Sequence, residues 1–246
     1  MSETAECLSG WDDRSRLLLG DEGTRRLRDA RVLVAGVGGV GGYAVEMLAR
    51  SGVGHISIVD ADCVALSNLN RQLIALIGDL GRPKVDLFCE RVRNICPETE
   101  ITAVREFITP ENVGELLDSE RYDYVIDAID TVAPKTALIA GCLSRKLPLI
   151  SSMGAGGRID PTKVGYQDIW DTKEDGLARA IRQRLKKMGL RRPLKVVASS
   201  EAPRPGSVVE LNERNKRSSY GTLAPVPATF GILLANHVIL RLSGLK

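Results

Sequence analysis

An α/β fold with a doubly wound, mostly parallel sheet and a C-terminal α+β extension is predicted by three observations. Short β-rich apolar runs alternate with amphipathic helical stretches over about the first 150 residues. The first run ends at a glycine-rich turn, Gly36-Val37-Gly38-Gly39-Val40-Gly41, and the second ends at an acidic residue, Asp60.

The elements follow in order. Residues 31–35 read as a strand, and residues 41–51 as a helix with Ala44, Val45, Leu48 and Ala49 on one face. Residues 55–60 form the next strand, completing the mononucleotide-binding half of a Rossmann-like sheet. Residues 85–95 are helical, 101–104 a strand, and Thr109-Pro110-Glu111 signals a helix start. A buried strand at 122–126, a helix at 134–145 and a strand at 147–150 continue the alternation. Beyond it come a strand at 164–169, a basic helix at 177–188 and a strand at 195–198. Residues 203–220 read as a mobile loop and 228–242 as an apolar helix docked on the core. The chain thus divides into a nucleotide-binding part with an N-terminal helical segment, 1–155, and an extension packed on the same core, 156–246.

Composition narrows the function. No run of about twenty apolar residues indicates a membrane span, and the acidic start is unlike a signal peptide, so a cytoplasmic protein is expected. The 34 basic and 31 acidic residues nearly cancel, so affinity for nucleic acid must come from a local patch. The cysteines, Cys7, Cys63, Cys89, Cys96 and Cys142, form no Cys-x-x-Cys pair and suggest no disulfide framework. His55 and His237 have no neighbours that argue for acid–base work.

The motifs after the turn bear on phosphate chemistry. Glycines let the backbone approach phosphates at a helix N-terminus, and Asp60 is placed to accept from ribose hydroxyls. Alone, this pattern also fits an NAD enzyme. Asn68-Leu69-Asn70-Arg71-Gln72 supplies a guanidinium fork and an amide, and Lys84 in Gly81-Arg82-Pro83-Lys84 a mobile point charge. Asp127 and Asp130 follow the fourth strand, where a carboxylate can hold Mg²⁺ against phosphates. Equally, Asp127 could be a hydrogen-bonded strand end and Asp130 a helix cap.

Together these motifs resemble the adenylating domain of the ubiquitin-activating-enzyme superfamily, over about residues 10–155. The resemblance implies ATP and Mg²⁺ as cofactors, with Gly36, Gly38, Gly39, Gly41, Asp60, Asp62, Asn68, Arg71, Gln72 and Lys84 around the nucleotide and Asp130 at the metal. It also implies a homodimer in which an N-terminal arginine reaches the partner's nucleotide. Arg16 is the best match and Arg14 the second. Activators of sulfur carriers in this superfamily resemble one another in two Cys-x-x-Cys pairs that hold zinc. Zinc needs four convergent ligands, so none is expected here.

The chain is more similar to the tRNA threonylcarbamoyladenosine dehydratase branch. The likeness runs through Ser151-Ser152-Met153-Gly154-Ala155-Gly156, Ser199-Ser200-Glu201-Ala202-Pro203 and Pro225-Val226-Pro227-Ala228-Thr229-Phe230-Gly231. It implies ATP-dependent cyclodehydration of the threonylcarbamoyl adenosine beside the anticodon, with Asp130, Arg71, Lys84 and Arg16 as catalytic residues. In the basic stretch, Arg182, Lys186, Lys187, Arg191 and Arg192 are the candidate RNA contacts. A sulfur-relay protein is admitted as a further partner. The alternatives are activation of a ubiquitin-like sulfur carrier, an NAD-dependent oxidoreductase, and a non-catalytic nucleotide-binding scaffold.

Overall fold

The computed structural model describes residues 9–210 and 218–245. Seven strands form one sheet in the order β3-β2-β1-β4-β5-β7-β6. They are β1 (Arg31–Ala35), β2 (His55–Val59), β3 (Glu100–Val104), β4 (Tyr124–Asp127), β5 (Leu149–Ser152), β6 (Val164–Asp168) and β7 (Lys195–Ser199). All neighbours are parallel except β6, which runs antiparallel to β7 at one edge.

Alternate strand residues feed two cores, as expected for a sheet buried on both faces. Val32 and Val34 of β1, Ile56 and Ile58 of β2, and Ile126 of β4 face one core. It is closed by α2 (Gly41–Arg50), α3 (Lys84–Ile95) and α7 (Pro225–Leu242). Leu33 and Ala35, Val125, and Val196 and Ala198 face the other, under α4 (Val113–Asp118), α5 (Val132–Arg145) and α6 (Gly176–Lys187).

The N-terminal helix α1 (Asp13–Asp29) kinks at Gly20, whose φ of 70° favours glycine. Its far end leads into β1. Helix α7 starts three residues earlier than predicted, because Pro225 and Pro227 lie in its first turn, where a missing N–H leaves no helical bond unmade. By length and composition α7 could cross a membrane, but Val226, Phe230, Leu234, Ala235 and Val238 are fully buried against the sheet and α2. Contact with α2 is close: a Cβ at Gly231 would lie 2.2 Å from the Val40 carbonyl oxygen.

Two predictions are corrected. The helix expected from Thr109 begins at Val113, since Thr109 and Asn112 bond each other's backbone N–H and close a turn first. The ends of the predicted 203–220 loop pair as an antiparallel ribbon, β8 (Val208–Glu210) with β9 (Ser218–Tyr220). Its middle, and the acidic start of the chain, lie outside the described residues.

Candidate active site

The chain leaves β1 and β4 in opposite directions across the sheet, so their carboxyl ends flank a topological switch point. Ligands bind there in open α/β sheets. The glycine turn follows β1 and the Asp127–Asp130 segment follows β4. Ala128 N donates to Ala35 O at 2.9 Å, fixing the two segments side by side.

Each glycine of the turn has its own reason. Gly36 has φ of 85° and its N–H donates to Val59 O. A Cβ on Gly41 would sit 1.8 Å from the Gly36 carbonyl oxygen, so strand and helix could not approach as they do. Gly38 and Gly39 are different. Cβ atoms there would meet only Gln72 Nε2 at 3.6 Å and Arg71 Cγ at 3.4 Å, so the bare backbone keeps a cradle open rather than relieving a clash. Helix α2 opens beside it with no side-chain cap, leaving its positive end to a ligand.

Asp60 ties the turn to β2. Its Oδ2 accepts from Val37 N and its Oδ1 from Asp62 N, both at 2.8 Å. Burial raises its pKa above the usual aspartate value, partly opposed by Lys84. Lys84 is not the mobile charge that the sequence suggests. Its side chain is buried and Nζ lies 2.8 Å from Asp62 Oδ2. Asp62 is exposed and so holds the position an anion could share.

Asn68 and Gln72 are both buried. Asn68 Oδ1 accepts from Ala65 N at 3.1 Å and shapes the loop. Gln72 Oε1 is buried with no hydrogen-bond partner, a cost that a donating ligand group would remove. Arg71 Nη1 donates to Ser67 O at 2.8 Å and to Asn70 Oδ1 at 3.0 Å, which holds the guanidinium beside Gly39. An open cradle, an orphaned acceptor and two cations fit a nucleotide polyphosphate.

The two aspartates divide. Asp127 is wholly buried, and its Oδ2 accepts from Lys135 Nζ and Ser151 Oγ, both at 2.6 Å. It is the hydrogen-bonded strand end. Burial pushes the Lys135 ammonium below its ordinary pKa, against the pull of Asp127. Asp127 Oδ1 accepts from Ile129 N, which braces the turn carrying Asp130. Asp130 is exposed at the mouth of the switch point, and the residue at the cap of α5 is Thr131 instead. Among the described residues no three His, Cys, Asp or Glu side chains converge as a metal cage. One carboxylate beside phosphates fits Mg²⁺, which is held largely by phosphate oxygens and water.

The remaining candidates lie elsewhere. Arg16 pairs with Asp12, which also binds Arg28 just before β1, so Arg16 belongs to the amino edge of its own sheet. Asp175 caps α6 through Ala178 N and also accepts from Gly154 N beyond β5, so α6 starts at the carboxyl edge. Its 12 residues run back about 18 Å, leaving Lys186, Lys187, Arg191 and Arg192 at the opposite edge from the cradle. Lys186 and Arg191 lie over the Trp170 ring, 5.9 and 5.8 Å from its centroid. Arg182 is turned inward onto the carbonyls of Ile169 and Thr172. Two surface depressions of about 390 and 260 Å³ lie away from the cradle, one against α3 and one at the amino ends of β5 and β7.

The ThiF family model matches residues 13–246. The chain belongs to the ThiF family. Among relatives, the tRNA threonylcarbamoyladenosine dehydratase of Bacillus subtilis is 41% identical over 93% of both chains. The molybdopterin-synthase adenylyltransferase of Escherichia coli is 38% identical, but over 60% of this chain and 58% of its own. The structure of E. coli tRNA N6-threonylcarbamoyladenosine dehydratase, TcdA, in complex with ATP superposes with a TM-score of 0.86 at 38% identity. That match covers 95% of this chain and 93% of the other. The reading of a doubly wound α/β fold is thus supported by both topology and relatives.

In this ThiF-family chain, Lys135 and Ser151 escape sequence reasoning. Nothing in an amphipathic helix marks one lysine as buried, and only the Asp127–Lys135 spacing, two helical turns past a strand end, hints at it. Arg158 is missed likewise. It is buried beside Asp175 and donates to the carbonyls of Gly154, Gly156, Glu174 and Glu201, binding the loop after β5 to the C-terminal segments.

Proposed function

We propose that the chain is an ATP-dependent tRNA threonylcarbamoyladenosine dehydratase. One observation carries this reading: similarity to dehydratases extends through both the nucleotide-binding part and the C-terminal half, whereas similarity to a sulfur-carrier activator covers 60% of the chain. The cysteine pattern agrees, since no cysteine follows Cys142 to serve as a thioester nucleophile or zinc ligand.

In this reading the residues of the site take the following roles. ATP would lie on Gly38 and Gly39, its ribose toward Asp60 and its phosphates between Arg71, Lys84 and the start of α2. A threonyl carboxylate oxygen attacks the α-phosphorus, the bond to pyrophosphate breaks, and an acyl-adenylate forms. Arg71 and Lys84 offset the charge that gathers on the phosphate oxygens, Lys84 exchanging Asp62 for phosphate. The carbamoyl group then attacks the activated carbonyl, loses its proton and expels AMP. Its nucleophile is already tethered a few bonds away, so no enzyme nucleophile is needed. Asp130 would hold Mg²⁺, which supplies Lewis-acid neutralisation of phosphate charge.

The proposal includes a homodimer in which Arg16 serves the partner's site. Supporting it, Arg16 pairs within its own chain with Asp12 and Asp21, neither of them a residue of its own cradle, and Leu17, Leu18, Leu66, Leu76 and Ile77 are exposed apolar side chains. It further includes tRNA contact along the basic stretch, made at the amino edge by RNA remote from the reacting base. A cytoplasmic location and a sulfur-relay partner complete it.

The test is pyrophosphate release from ATP and Mg²⁺ with tRNA bearing threonylcarbamoyladenosine, followed by nucleoside mass analysis. Release that depends on modified tRNA, with loss of one water from the nucleoside, is expected. ATP turnover only with a small protein ending in Gly-Gly overturns the proposal.

A further inference from the structure

The ribbon formed by β8 and β9 is seated on the carboxyl edge of the sheet. Gly157 N donates to Gly221 O at 2.8 Å, Gly157 O accepts from Arg204 N at 2.8 Å, and Gly221 N donates to Ser207 O at 2.7 Å. Gly156 lacks room for a Cβ because Tyr220 Cβ lies 2.4 Å from where it would stand. The ribbon is therefore pressed onto the loop that leaves β5.

It is also linked to the nucleotide cradle. Asn70 Nδ2 donates to Thr222 O at 3.0 Å, and Asn70 Oδ1 accepts from Arg71. Thr222 Oγ1 in turn donates to Tyr220 O at 3.0 Å. Three hydrogen bonds thus connect the Arg71 guanidinium to the backbone of Tyr220.

Tyr220 is 43% exposed despite its packed Cβ. Val208 stands opposite it in the ribbon register and is also exposed, so the two share one face. Leu223 is exposed just beyond, and so is Arg204 at the ribbon's base. An exposed aromatic ring with an apolar neighbour and a nearby cation is the combination that receives an unstacked base and its phosphate. The Arg71 link ties the backbone that carries this face to a cation beside Gly39 of the cradle.

We propose that Tyr220 stacks on a nucleobase of the RNA substrate at the mouth of the nucleotide site and so holds the modified adenosine with its carboxylate toward ATP. This rests on the dehydratase reading. The two can be separated experimentally.

Steady-state kinetics with ATP and threonylcarbamoyl-modified tRNA are measured for the wild type, Tyr220→Ala, Tyr220→Phe and Tyr220→Trp. Alanine keeps the Cβ that rests on Gly156, so the ribbon stays seated. The KM for modified tRNA should rise about tenfold in Tyr220→Ala, since a base–aromatic stack contributes about 1–3 kcal/mol. The KM for ATP should not change, Tyr220→Phe should match the wild type, and the added indole of Tyr220→Trp should be quenched on binding tRNA. Wild-type turnover with an unchanged tRNA KM in Tyr220→Ala overturns this inference alone. A wild type that leaves modified tRNA unchanged overturns the reading beneath it.

Discussion

Lys135 and Asp127 form an ion pair with no exposure of either side chain, 2.6 Å apart, and Ser151 Oγ hydrogen-bonds both. Replacing Lys135 with Met keeps the length of the side chain but strands a buried carboxylate with only hydrogen bonds from Ser151 and Ile129 N. Removing one partner of such a pair costs about 3–5 kcal/mol. For a chain of this size each kcal/mol lowers Tm by about 2–4 °C, so a fall of about 10 °C is expected. Thermal melts of the ligand-free protein read this directly. The double variant Lys135→Met with Asp127→Asn removes both charges and should be no worse than Lys135→Met alone. A Tm for Lys135→Met within about 2 °C of the wild type would refute the view that the pair stabilises the sheet behind Asp130.

Replacing Asp130 with Ala should abolish pyrophosphate release while leaving Tm unchanged; normal turnover removes it from the catalytic set. Gly41→Ala, forced against the Gly36 carbonyl, should cost about 1–3 kcal/mol. Gly38→Ala should stay within about 0.5 kcal/mol by denaturant melts yet weaken ATP binding in calorimetry, and equal effects of the two would contradict the cradle. For Asp60, burial raises the native pKa, so just above the ordinary aspartate value the unfolded chain is ionised while the native one still holds its proton. The contribution of Asp60 to stability therefore falls with rising pH through that window. Asp60→Asn should gain relative to wild type as pH rises above the ordinary aspartate value and then level off once the native carboxyl has ionised, and a difference that is flat or falls across that rise contradicts this.

Much of the fold was legible because its signals are local. Five buried runs, each bounded by glycine, proline or charge, became the central strands within two residues of their predicted ends. The glycine turn and Asp60 found each other because a βαβ unit has one handedness and few loop lengths. What escaped depends on distant partners. The 208–210 and 218–220 segments have no alternating pattern, and their pairing is fixed by Gly156 and Gly157, far away in sequence. Lys84 read as mobile because its burial under Asp62 is a tertiary fact. The basic stretch was visible as charge, but charge does not say at which edge of the sheet a helix ends. That followed only from Asp175, which anchors the start of α6.

The placement of β7 restricts how such a chain can diversify. It joins β5 through only Ser151↔Val196 and Ser152↔Val197, yet it also carries β6 and is covered by α6 and α7. Cutting near residue 155, where the sequence pattern changes, would bare β5 as an unpaired edge open to pairing with another chain. A new substrate could be accommodated by rebuilding the loops and ribbon at the carboxyl edge. It could not be gained by exchanging the whole C-terminal half, unless the incoming segment also supplied a parallel strand in this register.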